Sequence, residues 1–393
     1  MTYRSIYTYA WDLADEGVSA AIDGIEALGL DTVTVAASYH AGKFLRPHGR
    51  SGKVYFPEDG TVYFNPDPAR YGTLKPALNT LVREHDVVRE LTSDGRVAVH
   101  AWMVLLHNSR LGAHHPEAAV QNAFGDRYVY SLCPSAPEAR AYAVALCTDI
   151  TENYPVDGIC LETPGFLPYN HGYHHEFAML PPDPWLERQL GLCFCAHCVR
   201  EAETAGIDAM RVRARVRDDI EGCLTGDTQV PPDMADAFWL ADVAAGGELS
   251  KFLRWRCDVV TSLVGAIRSA VRPDATVSVI PSVARPTAGA WYEGSDLEAL
   301  AAAAGIIEAC FYESTPDRVR ADAMDVRRRL GAAANLRGIL RPGYPDLRTP
   351  ADLAAAVAAL RGAQVSDIAF YNYGHLCRRN LAWIPEALAV LKG

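Results

Sequence analysis

Residues 5–40 read SIYTYAWDLADEGVSAAIDGIEALGLDTVTVAASYH, and their reading sets that of the whole chain. Ser5–Asp12 is rich in aromatic and β-branched residues and predicts a strand. Val18–Leu30 spaces its apolar residues as a helix does, and Thr32–His40 predicts a second strand. The turn after the first strand lacks the glycine-rich fingerprint with which a dinucleotide-binding unit lets its backbone approach a pyrophosphate. A doubly wound nucleotide-binding sheet is therefore disfavoured from the first unit.

The same alternation runs to the last residues. Val97–His107, Asp157–Glu162, Ala275–Ser282, Ile306–Glu313, Leu336–Arg341 and Asp367–Tyr373 are the further strand candidates. Helical patterns at Lys75–Leu91, Glu138–Asn153, Ala237–Val271, Leu297–Ala304, Pro316–Leu330, Pro350–Gly362 and Leu381–Leu391 alternate with them. Eight strands, each followed by a helix, predict an α/β fold of the (β/α)8 TIM-barrel type, with residues 1–393 forming one domain. The connection after strand four is the outlier. Residues 163–235 are too many for an ordinary βα loop and predict an insertion that carries a histidine-rich loop and a cysteine motif.

Composition narrows the function classes. With 37 Lys+Arg against 48 Asp+Glu the formal charge is −11, and no dense basic stripe offsets it. Nucleic acid is not an expected partner, because its affinity rests on clustered cations. No apolar run approaches the ~18 residues of a membrane span. The opening MTYRSIYTYAWDLADEG lacks the basic and then apolar pattern of a secretory leader, so a cytoplasmic location is expected, with no membrane partner. Ala- and Arg-rich helices are the surface on which a homo-oligomer would form. Of the 10 cysteines, Cys147, Cys160, Cys257 and Cys310 sit singly in apolar runs and read as core residues.

In a TIM barrel the residues just past each strand gather at one mouth, where this fold places its chemistry. Strand four closes on Glu162, strand six on Glu313, and strand seven is followed by Asp346. Paired carboxylates at a barrel mouth suit glycoside hydrolysis, in which one protonates the leaving oxygen while the other attacks or activates water. The other strand ends supply Trp11 and Asp12, His40 and Lys43, His107 and Asn108, Arg341 and Tyr344, and Asn372 and His375. Aromatic faces and bidentate polar groups of this kind bind a small carbohydrate. His171, Tyr173 and His174 on the long loop are candidates for substrate contact. The segment HGYHHE lacks the HExxH spacing of a zincin helix.

Cys193, Cys195 and Cys198 form a C-x-C-x2-C motif, and three thiols within six residues can wrap one tetrahedral ion. A fourth ligand must come from elsewhere, and Cys133 is the candidate, with His197 or a loop histidine as alternatives. A structural zinc is expected, with no organic cofactor.

Asp157-Gly158-Ile159-Cys160-Leu161-Glu162, followed by Cys193 through Cys198, resembles the glycoside hydrolase-like TIM barrels and, more distantly, the beta-galactosidases that carry a cysteine zinc cluster beside the active site. The resemblance covers the strand-four region, its insertion and the eightfold rhythm. It implies a carbohydrate-active barrel in which Glu162 is the catalytic carboxylate. Leu161 stands where the large glycosidase clan has asparagine, and strand seven ends without a glutamate. Two other readings compete with a glycosidase: a metal-dependent sugar isomerase or epimerase using Glu162, Glu313 and loop histidines as ligands, and a non-catalytic carbohydrate-binding barrel.

Overall fold

The computed structural model describes residues 3–173, 177–226, 228–245 and 247–392. Eight parallel strands close into a barrel: β1 (Arg4–Tyr9), β2 (Thr32–Tyr39), β3 (Ala98–Val104), β4 (Gly158–Glu162), β5 (Thr276–Val279), β6 (Ile306–Cys310), β7 (Asn335–Leu340) and β8 (Asp367–Phe370). Closure is direct, because β1 pairs with β8 on one side (Arg4 beside Ile368) and with β2 on the other (Ser5 beside Thr32). Outside lie the helices α1 (Val18–Ala27), α2 (Val87–Asp94), α3 (Pro137–Asn153), α4 (Gly247–Ala270), α5 (Leu297–Ala304), α6 (Pro316–Leu330), α7 (Pro350–Gly362) and α8 (Ile384–Ala389). No helix of the described residues is long and apolar enough to cross a membrane.

Local chemistry explains where the elements start. Asp86, Asp296, Thr315 and Thr349 each accept a backbone N–H in the first turn of the helix that follows, and Thr349 with Asp352 completes a capping box. The segment expected to be helical at Lys75–Leu91 is not continuous. Ala77–Leu78 pairs as a short strand, Asn79 caps a 3-10 turn at Thr80–Arg83, and the α-helix begins only after the Asp86 cap. The long helix expected over Ala237–Val271 starts earlier and is described as two, Pro232–Ala245 and α4, on either side of residue 246.

The barrel interior is filled by side chains, as this fold requires, but at its lower end the filling is polar. Tyr3 and Tyr7 each donate a hydroxyl to Glu308 Oε1 at 2.8 Å, and the Arg337 guanidinium lies 3.7 Å from the Tyr3 ring centroid and 3.5 Å from Glu308. His100 packs edge-on to Tyr3 and is pushed down to about 3 by burial and then by Arg337, which keeps it neutral. This plug closes the lower end, leaving the carboxyl ends of the strands as the open face.

Between β4 and α4 the helices Pro184–Leu190, Ala196–Thr204, Ala209–Thr225 and Pro232–Ala245 form the insertion. Asp183 ties it together: one carboxylate oxygen caps the first of these helices, and the other accepts Val230 N–H at 2.9 Å.

Candidate functional site

Period-two alternation puts Cys160 and Glu162 of β4 inward, and Cys160 meets the Tyr7 hydroxyl at 3.2 Å inside the barrel. One step higher, the half-buried Glu162 accepts a hydrogen bond from the Trp102 indole Nε1. Burial pushes its carboxyl up to about 7, an effect that the indole donor only partly offsets. A wall of aromatic rings stands beside it. Tyr9 hydroxyl meets Tyr39 hydroxyl at 3.0 Å and Tyr371 hydroxyl at 2.8 Å, while Trp102 packs edge-on to Tyr39 with centroids 5.2 Å apart. Glu162 is thus a carboxylic acid in a largely aromatic surround, the environment in which such a group keeps its proton near neutrality.

A second wall is built of imidazoles. His40 stacks on Tyr39 (4.3 Å) and His107 stacks on His40 (4.0 Å), joining the loops after β2 and β3. His107 Nε2 lies 2.8 Å from the carbonyl of Gly172, and His171 packs edge-on to His107 at 5.8 Å. Gly172 has φ +125°, and a Cβ there would meet Tyr130 at 2.9 Å, so only glycine allows the loop this close. Tyr173 is exposed, 5.8 Å from the Tyr130 ring. His174 lies outside the described residues.

The remaining sequence candidates fall at different places. His375 packs against Tyr9 and Phe44, and burial lowers its basicity. Trp11 lies stacked between Tyr9 and Tyr55, buried behind the aromatic wall. Asp12 is locked 2.6 Å from Arg46 Nε, with its carboxyl pushed up to about 6 by burial, so it anchors the hairpin after β2 to the end of β1. Asn108 caps the short helix that follows it through Leu111 N–H. Asn372 is buried and accepts Gly374 N–H. Lys43 is exposed, and Tyr344 is 83% exposed.

The two other carboxylates belong to a separate, cationic side of the mouth. Glu313 is buried and accepts Arg318 Nε at 2.6 Å, and Asp346 lies 2.9 Å from Arg341 Nε. Both Asp346 and the neighbouring Asp322, the latter up to about 6, are raised chiefly by burial and further by the Glu313 charge. Glu162 is felt instead by Tyr39, Tyr371, Cys310 and Glu293. Glu293 was not singled out in the sequence. It ends the 3-10 helix Thr287–Glu293, accepts Ser282 Oγ at 2.6 Å and Val283 N–H at 2.9 Å, and is pushed up to about 7 by burial. It sits 131 positions from Glu162 in the chain, so no local spacing marks it. Tyr9, Tyr39, Trp102 and Tyr371 were missed as well, although each lies at or near a strand end where an inward aromatic lines the mouth.

Cys133, Cys193, Cys195 and Cys198 are all buried, with their sulfurs within 4.8 Å of one another. Cys133 Sγ lies 3.4, 3.9 and 3.6 Å from the sulfurs of Cys198, Cys193 and Cys195. These separations are far beyond a disulfide bond and match the ~3.8 Å edge of a tetrahedron with zinc–sulfur bonds near 2.3 Å. Burial holds the Cys133 and Cys198 thiols up, while nearby donors and a cation favour negative charge. Gln121 N–H points at Cys193 Sγ (3.4 Å), Cys198 N–H at Cys195 Sγ (3.5 Å), and the buried Arg256 is within electrostatic reach of Cys193, Cys198 and Cys133.

Beside the mouth a cleft of about 660 Å³ runs between the insertion and the loop after β5, lined among others by Tyr169, Trp239, Leu240, Arg285 and Trp291.

No family model matches the sequence, and no curated protein is recognisably similar to it. Among solved structures the fold is similar to the catalytic domain of beta-amylase from Paenibacillus polymyxa, with a TM-score of 0.62, 11% identity and coverage of 100% of this chain and 99% of that one. It is also similar to the PgaB (BpsB) glycoside hydrolase domain from Bordetella bronchiseptica, with a TM-score of 0.57, 14% identity and coverage of 100% and 98%. Alpha-L-fucosidase isoenzyme 2 from Paenibacillus thiaminolyticus matches with a TM-score of 0.56 and 12% identity over 100% of this chain, which spans 49% of that enzyme. At these identities the likeness is one of fold, and the chain has a TIM barrel of the kind these glycoside hydrolases use.

Proposed function

We propose that the protein is a glycoside hydrolase in which Glu162 is the general acid. The observation that supports this most strongly is Glu162 itself: a carboxyl at the end of β4, held by an indole donor in an aromatic surround, with its proton affinity raised to about 7. Such an acid is protonated in a useful fraction at neutral pH, and general acid catalysis gains most when the two match. The aromatic wall supplies faces for the C–H surface of a sugar, and the imidazole wall supplies polar edges. The second carboxylate is drawn from the cationic side, where Glu313 and Asp346 sit. We infer a closed structural zinc on Cys133, Cys193, Cys195 and Cys198, bracing the insertion against the segment before α3; bound there, the ion would supply cross-linking and no open coordination position.

A panel of aryl glycosides tests the reading. Glu162→Gln is expected to cut kcat by about 10²-fold or more, with an unchanged circular dichroism spectrum, while Glu313→Gln and Asp346→Asn identify the second carboxylate by which of them loses turnover. Absence of hydrolysis across the panel, or full activity in Glu162→Gln, would overturn it. A sugar isomerase would need mouth ligands in addition. Among the described residues, the four cysteines are the one set of three or more His, Cys, Asp or Glu side chains gathered within ligand distance. Turnover that survives chelation separates the two mechanisms.

A further inference from the structure

We propose that the sugar taken by this mouth is acidic, and that Arg285 and Arg341, stacked on Tyr312, form the clamp for its carboxylate. The inference rests on the glycosidase reading and names its substrate class. Tyr312 is the second residue after β6, and its ring is 5.7 Å from that of Tyr371, so the clamp adjoins the aromatic wall beside Glu162. The guanidinium carbon of Arg341 lies 4.1 Å from the Tyr312 centroid and that of Arg285 lies 4.4 Å from it. Stacking occupies the face of a guanidinium and leaves its in-plane N–H fork available, the geometry that grips a carboxylate with two parallel hydrogen bonds.

Arg318 is paired with Glu313, and Arg341 is paired with Asp346. Arg285 is exposed on the loop after β5 and makes no ion pair among the described residues, although Asp346 lies within its electrostatic reach. Arg341 is only half committed: its Nε and Asp346 Oδ2 approach to 2.9 Å, yet neither atom has a hydrogen bond of acceptable geometry. A chain with net charge −11 thus places two guanidinium groups on a single ring beside its candidate acid, with Asp346 the carboxylate within reach of both. Arg285 also lines the 660 Å³ cleft, so an acidic residue at the clamp has room to continue into a longer glycan. A guanidinium fork takes two oxygens of a carboxylate or of a sulfate ester alike; the clamp is assigned to the carboxylate of a uronic acid, with the sulfate ester as the rival that the test separates.

The test is titration calorimetry on the full chain carrying Glu162→Gln, which binds without turning over. The probes are methyl uronosides, the neutral hexosides of the same ring stereochemistry, and the corresponding sulfate esters. The uronoside is expected to bind about tenfold tighter than its neutral counterpart, the worth of one charge-assisted hydrogen bond. That preference should fall with added salt, drop close to unity in Arg285→Ala, and return in part in Arg285→Lys. Equal binding of acidic and neutral sugars, or a preference that survives both Arg285→Ala and Arg341→Gln, overturns the clamp and leaves the hydrolase reading standing. Tighter binding of the sulfate ester overturns the carboxylate assignment. If no saccharide binds and none is hydrolysed by the wild type, the hydrolase reading falls and the clamp falls with it.

Discussion

At the scale of single residues, Glu162 was legible because it ends a strand at an inward-facing position, and position alone made it a candidate. Its chemistry was not legible. The Trp102 indole that bonds it is 60 positions away, and the apolar burial that raises it exists only once eight strands have closed. If Glu162 acts as a general acid, the rate depends on its protonated form, so kcat/KM should fall as pH rises through about 7. Trp102→Phe removes a donor that favours the carboxylate, so the falling limb of the pH–rate profile should move to higher pH; an unmoved limb would mean that another group titrates. The same raised carboxyls act on stability. Glu162 and Glu293 go from 4.5 to about 7 on folding, so the folded state holds protons that the unfolded chain releases. Their contribution is therefore fully present below about 4.5 and lost as pH rises through about 7. Urea midpoints of Glu162→Gln and Glu293→Gln should be less sensitive to pH across that window than those of the wild type.

At the scale of elements, the strands and most helices could be read from period and caps, while phase could not. β2 is the instructive case. Thr34 and Ala36 face inward, and strict alternation would send Ser38 inward and Tyr39 outward. The register against β3 slips between Ala36 and Ser38, where Ser38 comes opposite Met103, and the slip turns Tyr39 into the mouth to meet Tyr9 and Trp102. A one-residue irregularity leaves no mark in composition, which is why Tyr39 went unnoticed. The cysteine motif shows the complementary limit. Its spacing pointed to a metal, but only the packing of the insertion against the segment before α3 brings Cys133 to the other three. If zinc is held there, purified protein should carry about one equivalent by plasma mass spectrometry. Cys133→Ser should lose most of it, and limited proteolysis should then cut within residues 163–235 while the barrel's circular dichroism persists. Equal metal content in wild type and Cys133→Ser would remove Cys133 from the ligand set.

At the scale of the whole molecule, the barrel depends on a polar plug that no hydrophobic pattern announces. Glu308 is fully buried and Arg337 nearly so; Tyr3 touches both, and Tyr7 donates to Glu308. Removing Glu308 takes from the buried Arg337 its nearer carboxylate and leaves Asp367 at 3.9 Å, so Glu308→Ala should lower the free energy of unfolding by about 3 kcal/mol, the lower end of the cost of breaking a buried pair, in a denaturant titration. A loss below about 1 kcal/mol would show that Asp367 or water compensates Arg337 there. The amino-acid sequence by itself determined the architecture, because strand and helix periodicities are local and eight repeats of the unit have a single compact closure. It also marked Glu162 as a candidate, through its place at a strand end, and grouped three cysteines, through their spacing. Only the tertiary structure decided which of those residues share an environment. Glu162 came to stand among aromatic rings, within electrostatic reach of Glu293; Glu313 and Asp346 came to stand among arginines, Asp12 and Asn108 in structural bonds, and Cys133 beside its three partners. Burial, Coulomb interaction and ligand geometry depend on distances through space, and those are set by the closure of the barrel and the packing of its insertion.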